Sequence, residues 1–160
     1  MEFELSLDAH SPEDAADVGA AIGAAIADPV VIALVGEMGS GKTTIVRGIA
    51  RGLGVTGTVN SPTYTLMQRY QGRFTLDHYD AWMEGRERDV LADGAHELLG
   101  SDGVSVIEWA DRILDLLPSE YLEINIKVQA PESRLVTLKW HSTESGPPAG
   151  LGGLGQWIVT

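Results

Sequence analysis

Hydrophobic spacing divides the first third of the chain into strand, helix, strand and helix. Phe3, Leu5 and Leu7 alternate with polar neighbours, which predicts a half-exposed strand over residues 2–7. Ser11-Pro12-Glu13-Asp14 then supplies a helix start: a capping hydroxyl, a proline tolerated in the first turn, and acids facing the positive end of the helix dipole. Val18, Ile22 and Ile26 recur at every fourth position, so this alanine-rich helix buries one face before Asp28-Pro29 ends it. Residues 30–35 are apolar without alternation, as expected of a central strand covered on both faces. Ile45, Val46, Ile49, Ala50 and Leu53 restore the helical period.

Further on the pattern is more broken. Gly52, Gly54 and Gly57 punctuate a connection to Ser61-Pro62-Thr63, and residues 64–70 and 74–79 read as two strands joined around Gln71-Gly72-Arg73. The polar stretch 84–100 predicts one or two short helices, and 104–107 a second buried strand ending at Glu108-Trp109. Ile113, Leu114 and Leu117 fit a brief helix before Pro118. Leu122, Ile124, Ile126 and Val128, then Val136, Leu138 and Trp140, alternate with polar residues across Pro131-Glu132-Ser133, which predicts an antiparallel hairpin with one wet face. Residues 141–160 are rich in glycine and proline and read as a disordered tail, with Trp157-Ile158-Val159 able to dock.

The connection between the first buried strand and its helix carries the strongest chemistry. Residues 36–43 read Gly-Glu-Met-Gly-Ser-Gly-Lys-Thr, a complete phosphate-binding loop in the strand–loop–helix context it needs. Glycines let successive N–H groups converge on an anion, and the helix N-terminus adds unpaired donors and partial positive charge. Lys42 would reach the β- and γ-phosphates, and the Thr43 hydroxyl would ligate Mg²⁺. The loop residues Glu37, Met38, Gly39, Ser40, Gly41, Lys42, Thr43 and Thr44 are the expected nucleotide-binding set, to which Ser11 is added. The fold expected is α/β: a P-loop NTPase-like mixed sheet flanked by helices, with a C-terminal antiparallel hairpin. One domain spans residues 1–140.

Composition removes several alternatives. The chain has no cysteine, so disulfides, thiolate metal sites and cysteine nucleophiles are excluded. The start lacks a basic segment and long apolar core, and no apolar run is long enough for a bilayer, so a soluble cytoplasmic protein without membrane association is expected. Net charge is −12 and the three lysines are Lys42, Lys127 and Lys139. Such a field repels nucleic acid backbones, so any role in nucleic-acid metabolism would run through a protein partner. Arg69, Arg73, Arg86, Arg88 and Arg112 are candidates for a local cationic patch.

A phosphate loop needs a carboxylate for its metal at the end of a neighbouring strand. Glu108 and Asp80 both follow strand patterns and both remain candidates; Asp77 is expected to face solvent. Ser61-Pro62-Thr63 is rigid and carries hydroxyls, so it could close over the γ-phosphate, or serve as an ordinary turn. The histidines show no ligand spacing, and nothing places Gln68 or Gln71 at a site. No Asn-Lys-x-Asp element occurs, so adenine nucleotide is preferred over guanine.

These elements together resemble the TsaE (YjeE) family of bacterial ATPases. The matching segments are the loop at 36–44, Asn60-Ser61-Pro62-Thr63-Tyr64-Thr65-Leu66, His78-Tyr79-Asp80 and Val106-Ile107-Glu108-Trp109, within roughly residues 1–140. The resemblance implies a small domain whose ATP hydrolysis is weak alone and stimulated by a TsaD–TsaB pair. It would serve threonylcarbamoyladenosine formation beside the tRNA anticodon without touching the tRNA. It implies Lys42, Asp80 and Glu108 as catalytic residues, with Thr43, Glu108 and Asp80 around Mg²⁺. It also implies Arg134 as a nucleotide contact, and Ser61, Pro62, Thr63, Tyr64 and Trp109 as switch or partner-coupling residues. The chain departs from the pattern after Asp80, where Ala81-Trp82-Met83 replaces the usual Leu-Tyr-Arg; Arg86 or Arg88 could take the arginine's place. A small-molecule kinase is the alternative enzyme, and a nucleotide-gated binding module without turnover is a third reading.

Overall fold

A computed structural model describes residues 3–59, 67–81, 99–100, 102–143, 145–148, 150–151 and 154–155. The alternating start forms β1 (Phe3–Ala9), and the capped segment forms α1 (Pro12–Ala25). The unbroken apolar run becomes β2 (Val30–Gly36), and the loop leads into α2 (Lys42–Gly52). The other strands are β3 (Met67–Gln71), β4 (Thr75–Asp80), β5 (Val104–Glu108), β6 (Tyr121–Val128) and β7 (Arg134–His141).

All seven strands join one sheet in the order β1-β7-β6-β2-β5-β4-β3. Central β2 runs parallel to β5 and to β6, and β4 runs parallel to β5. The pairs β3–β4, β6–β7 and β1–β7 are antiparallel, so this is the mixed α/β sheet expected, closed by the predicted hairpin. Register places the candidate acids: Glu108 lies opposite Leu34 on one side and opposite Asp80 on the other. Both carboxylates therefore stand at the carboxyl end of the sheet beside the strand that feeds the loop, where open α/β sheets take ligands.

The main core joins both helices to one face of the sheet. Val18, Ile22 and Ile26 of the α1 region and Ile45, Val46, Ile49, Ala50 and Leu53 of the α2 region are all buried, as their spacing requires. The helices meet at backbone distance: a Cβ on Gly48 would lie 2.1 Å from the Ala16 carbonyl oxygen. A smaller core of Val31, Ala33, Tyr79, Ile107, Ala110 and Ile113 covers the other face beside β2 and β5.

Three sequence expectations need correction. Residues 113–117 form no α-helix; two three-residue 3-10 turns, Ala110–Arg112 and Leu114–Leu116, occupy the region, with Ile113 buried and Leu114 47% exposed. Asp77 is only 9% exposed because the Arg69 guanidinium grips both its oxygens, at 2.7 and 3.0 Å. The disordered tail does not extend to the described residues after His141. Leu151 and Leu154 are each 1% exposed within the main core, and Trp140 Nε1 donates to the Ser145 carbonyl at 3.0 Å. Glycine and proline there set a path that sparse leucines anchor, a pattern that composition averages away. The expected helices between 84 and 98 lie outside the described residues.

Candidate functional site

The loop leaves β2 at Gly36 and turns where the Ser40 amide donates to the Glu37 carbonyl at 3.0 Å. Gly39 (φ 79°) and Gly41 (φ 101°) occupy the left-handed region that side chains disfavour, which explains glycine at both positions. Gly41 caps α2 without any side-chain hydrogen bond, and the first turn holds no acid. The opening amides of α2 are thus left for an external anion.

In front of them lies a cavity of about 420 Å³. Met38, Gly39, Gly41, Lys42, Thr43 and Thr44 form its loop side, and Asp80, Glu108 and Trp109 close it from β4 and β5. Sheet register brings Asp80 and Glu108, the last residues of β4 and β5, to one wall. The Thr43 hydroxyl stands 3.4 and 3.5 Å from the two Glu108 oxygens. Asp80 and Glu108 are both buried.

Lys42 lies back on its own loop. Its ammonium donates to the carbonyls of Gly36 (2.6 Å) and Glu37 (2.9 Å) and sits 3.8 Å from the centroid of the Trp109 ring. Burial pushes the Lys42 pKa below its usual 10.5, although Glu108, Asp111 and Asp80 favour the charged form. Trp109 is held in a left-handed conformation (φ 60°) otherwise found only at glycines among the described residues. Its other neighbour is the Arg112 guanidinium, 5.1 Å from the ring centroid. Trp109 also walls a second cavity of about 420 Å³ reaching Asn125, Lys127 and Val128.

The donor set of Thr43, Asp80 and Glu108 is all oxygen, which suits Mg²⁺ rather than a softer metal. Among the described residues no group of three or more His, Cys, Asp or Glu could hold a metal.

Ser11 and Arg134 meet on the opposite side of the loop, lining a cavity of about 70 Å³ with Ser40, Gly41 and Thr44. Ser11 Oγ accepts the Asp14 amide at 3.0 Å as the α1 cap. Arg134 donates to the carbonyls of Ser40 (2.8 Å) and Gly39 (3.4 Å) and to three carbonyls of its own hairpin turn, so it braces the loop against β7. Ser61, Pro62, Thr63, Tyr64, Arg86 and Arg88 lie outside the described residues. The remaining arginines of the expected patch have separate partners: Asp77 for Arg69, the Gly23 and Ile26 carbonyls for Arg73, Trp109 for Arg112. Gln68 and Gln71 sit on edge strand β3 and do not line the cavity.

Sequence reasoning missed His78, whose Nε2 lies 2.5 Å from Glu108 Oε2. The signal was available: period-two alternation along β4 puts residue 78 on the same face as Asp80.

The family model described as threonylcarbamoyl adenosine biosynthesis protein TsaE matches residues 9–136. A tRNA threonylcarbamoyladenosine biosynthesis protein TsaE from Treponema pallidum is 36% identical over 129 residues, covering 81% of this chain and 96% of that protein. The protein of the same name from Bacillus subtilis is 40% identical over 130 residues, covering 79% and 80%. The crystal structure of Bacillus subtilis YdiB superposes with a TM-score of 0.76 at 30% identity, covering 98% of this chain and 97% of that one. That coverage extends past residue 140, into the segment for which the motifs gave no counterpart.

Proposed function

The chain belongs to the TsaE family, and from that premise we propose that it is a Mg²⁺-dependent ATPase serving tRNA threonylcarbamoyladenosine biosynthesis, weak alone and stimulated by TsaD- and TsaB-like partner proteins. Its relatives' role in that biosynthesis disfavours a small-molecule kinase. The observation that carries the reading is the single cavity in which the phosphate loop, Lys42 and Thr43 face Asp80 and Glu108.

The triphosphate lies along the glycine-rich turn, where the uncapped amides of α2 bind its oxygens. Lys42 leaves the Gly36 and Glu37 carbonyls and the Trp109 ring for the β- and γ-phosphates. Thr43, Glu108 and Asp80 would hold Mg²⁺, which would supply charge neutralisation at the phosphate oxygens. Lys42 and the loop amides stabilise the charge that develops as water attacks in line with the departing diphosphate. Ser11 and Arg134 support the loop's far side and contribute to the nucleotide contact. The chain's charge of −12 favours action through proteins rather than on tRNA directly. Among the described residues no helix is long and apolar enough to cross a membrane.

The test is phosphate release with and without the TsaD and TsaB proteins of the same organism. Stimulated rates should fall roughly a hundredfold or more in Lys42→Ala and in Glu108→Ala. Rates like those of the unaltered protein in both variants would sink the assignment.

A further inference from the structure

The structure assigns His78 as the positioning residue of the metal-binding carboxylate: its imidazole holds Glu108 in the orientation that faces Thr43. This rests on the reading of Thr43 and Glu108 as the Mg²⁺ site. Three observations carry it. The His78 side chain has no solvent exposure and that of Glu108 has 4%, so their bond forms away from water. His78 Nε2 meets Glu108 Oε2 at 2.5 Å, and a carboxylate that ligates a metal only accepts, so as a metal ligand Glu108 would take its hydrogen bond from Nε2–H. The other ring nitrogen, Nδ1, has no hydrogen-bond partner among the described residues. A histidine kept for packing would gain by being leucine, because buried polar atoms are costly when unpaired. Among the described residues only Nε2 is paired, and its partner is Glu108.

The geometry explains what the bond achieves. The terminal torsion of a glutamate is broad, so strand β5 alone fixes where the Glu108 side chain begins and not how its carboxylate is turned. Parallel pairing sets His78 opposite Val106, two residues before Glu108 and on the same sheet face. From there the ring anchors Oε2 and keeps both oxygens within 3.5 Å of the Thr43 hydroxyl. Hydrogen bonds of this kind to ligating groups are commonly worth about 10–100-fold in metal affinity.

The test compares Mn²⁺ binding to the ADP complex by electron paramagnetic resonance, with ADP affinity in EDTA as the metal-free reference. His78→Leu should weaken Mn²⁺ roughly tenfold or more and leave ADP affinity in EDTA unchanged. His78→Gln, whose amide nitrogen reaches the place of Nε2, should recover most of the loss. His78→Asn, whose shorter amide stops at the place of Nδ1, should not. Should His78→Leu fail to fold, the comparison of Gln with Asn decides alone. Equal Mn²⁺ affinity in those two, or an equal loss of ADP affinity without metal, would overturn the assignment. Absence of nucleotide-dependent Mn²⁺ binding in the unaltered protein would instead reject the metal site itself.

Discussion

The two helices lie side by side on one face of the sheet, and they begin in opposite ways. At α1, Ser11 Oγ takes the Asp14 amide, Pro12 removes a donor, and Glu13 and Asp14 oppose the dipole. The far end is closed too, by Arg73 donating to the Gly23 and Ile26 carbonyls. At α2 the cap is a left-handed glycine, no side chain of the cap accepts the first amides, and the first turn holds no acid. The first helix satisfies its own ends and contributes stability. The second leaves its donors and its dipole open, and the cavity with Asp80 and Glu108 lies in front of that open end. Each helix start therefore shows whether the chain is completing a structure or preparing a ligand site.

The strongest way to break this contrast is to give α2 an acid at its cap. A Cβ on Gly41 meets nothing within 4 Å, so Gly41→Ala tests backbone conformation alone, at a cost of roughly 1–2 kcal/mol. Gly41→Asp adds a carboxylate where phosphate should bind. At 4 Å and an effective dielectric of 20, repulsion between unit charges is about 4 kcal/mol, so nucleotide affinity should fall roughly a thousandfold beyond the Ala variant. Calorimetry on both variants separates the effects; equal losses would mean that strain, not charge, governs the site.

Lys42 sharpens the contrast from the other side, because a site left open for a ligand carries a cost when empty. Burial lowers the Lys42 pKa, so the folded, nucleotide-free protein binds this proton less tightly than the unfolded chain does. Stability from this group is therefore lost as pH falls through the lowered value and regained towards 10.5 and above. Lys42→Met should lose nucleotide affinity by tenfold or more, yet be at least as stable as the unaltered protein near neutral pH. Its stability advantage in urea titrations should shrink as pH rises towards 10.5. A variant less stable at neutral pH would show that the Gly36 and Glu37 hydrogen bonds outweigh desolvation.

Away from their starts the helices should behave alike. Gly48→Ala drives a Cβ against the Ala16 carbonyl at 2.1 Å, where backbone cannot yield cheaply. Unfolding free energy should fall by about 1–3 kcal/mol while the folded fraction keeps its nucleotide affinity. A matching loss of affinity would show that the helix contact also shapes the loop.

What could be read from the chain follows the same division. Local signals were plain: the Ser11 cap, the apolar period of both helices, the glycine-rich turn, and the alternating hairpin. Sheet register was not, because whether Asp80 neighbours Glu108 depends on pairing between segments far apart in sequence. Asp77 was misjudged at short range, because the predicted pair of strands did not give the register that sets Arg69 directly across from it. The alternation of β4 put His78 on the face of Asp80, but its contact with Glu108 depends on the parallel neighbour β5, which alternation does not name. The leucines of the tail escaped because two buried positions among glycines leave the composition of a flexible segment.

Ser11 is the residue at which the two helices' purposes meet, and it should give the smallest effect. It caps α1 and also borders the cavity behind Gly41 and Thr44. Ser11→Ala should reduce stability by about 1 kcal/mol through the lost cap. Ser11→Asp should restore that stability, because aspartate caps as well as serine does. The restored cap brings a negative charge to the far side of the loop, so nucleotide affinity should fall in the Asp variant, by less than in Gly41→Asp. Recovery of both stability and affinity would make Ser11 a cap alone and remove it from the nucleotide site. Recovery of stability without affinity would mean that one hydroxyl closes the first helix while leaving the second open to phosphate.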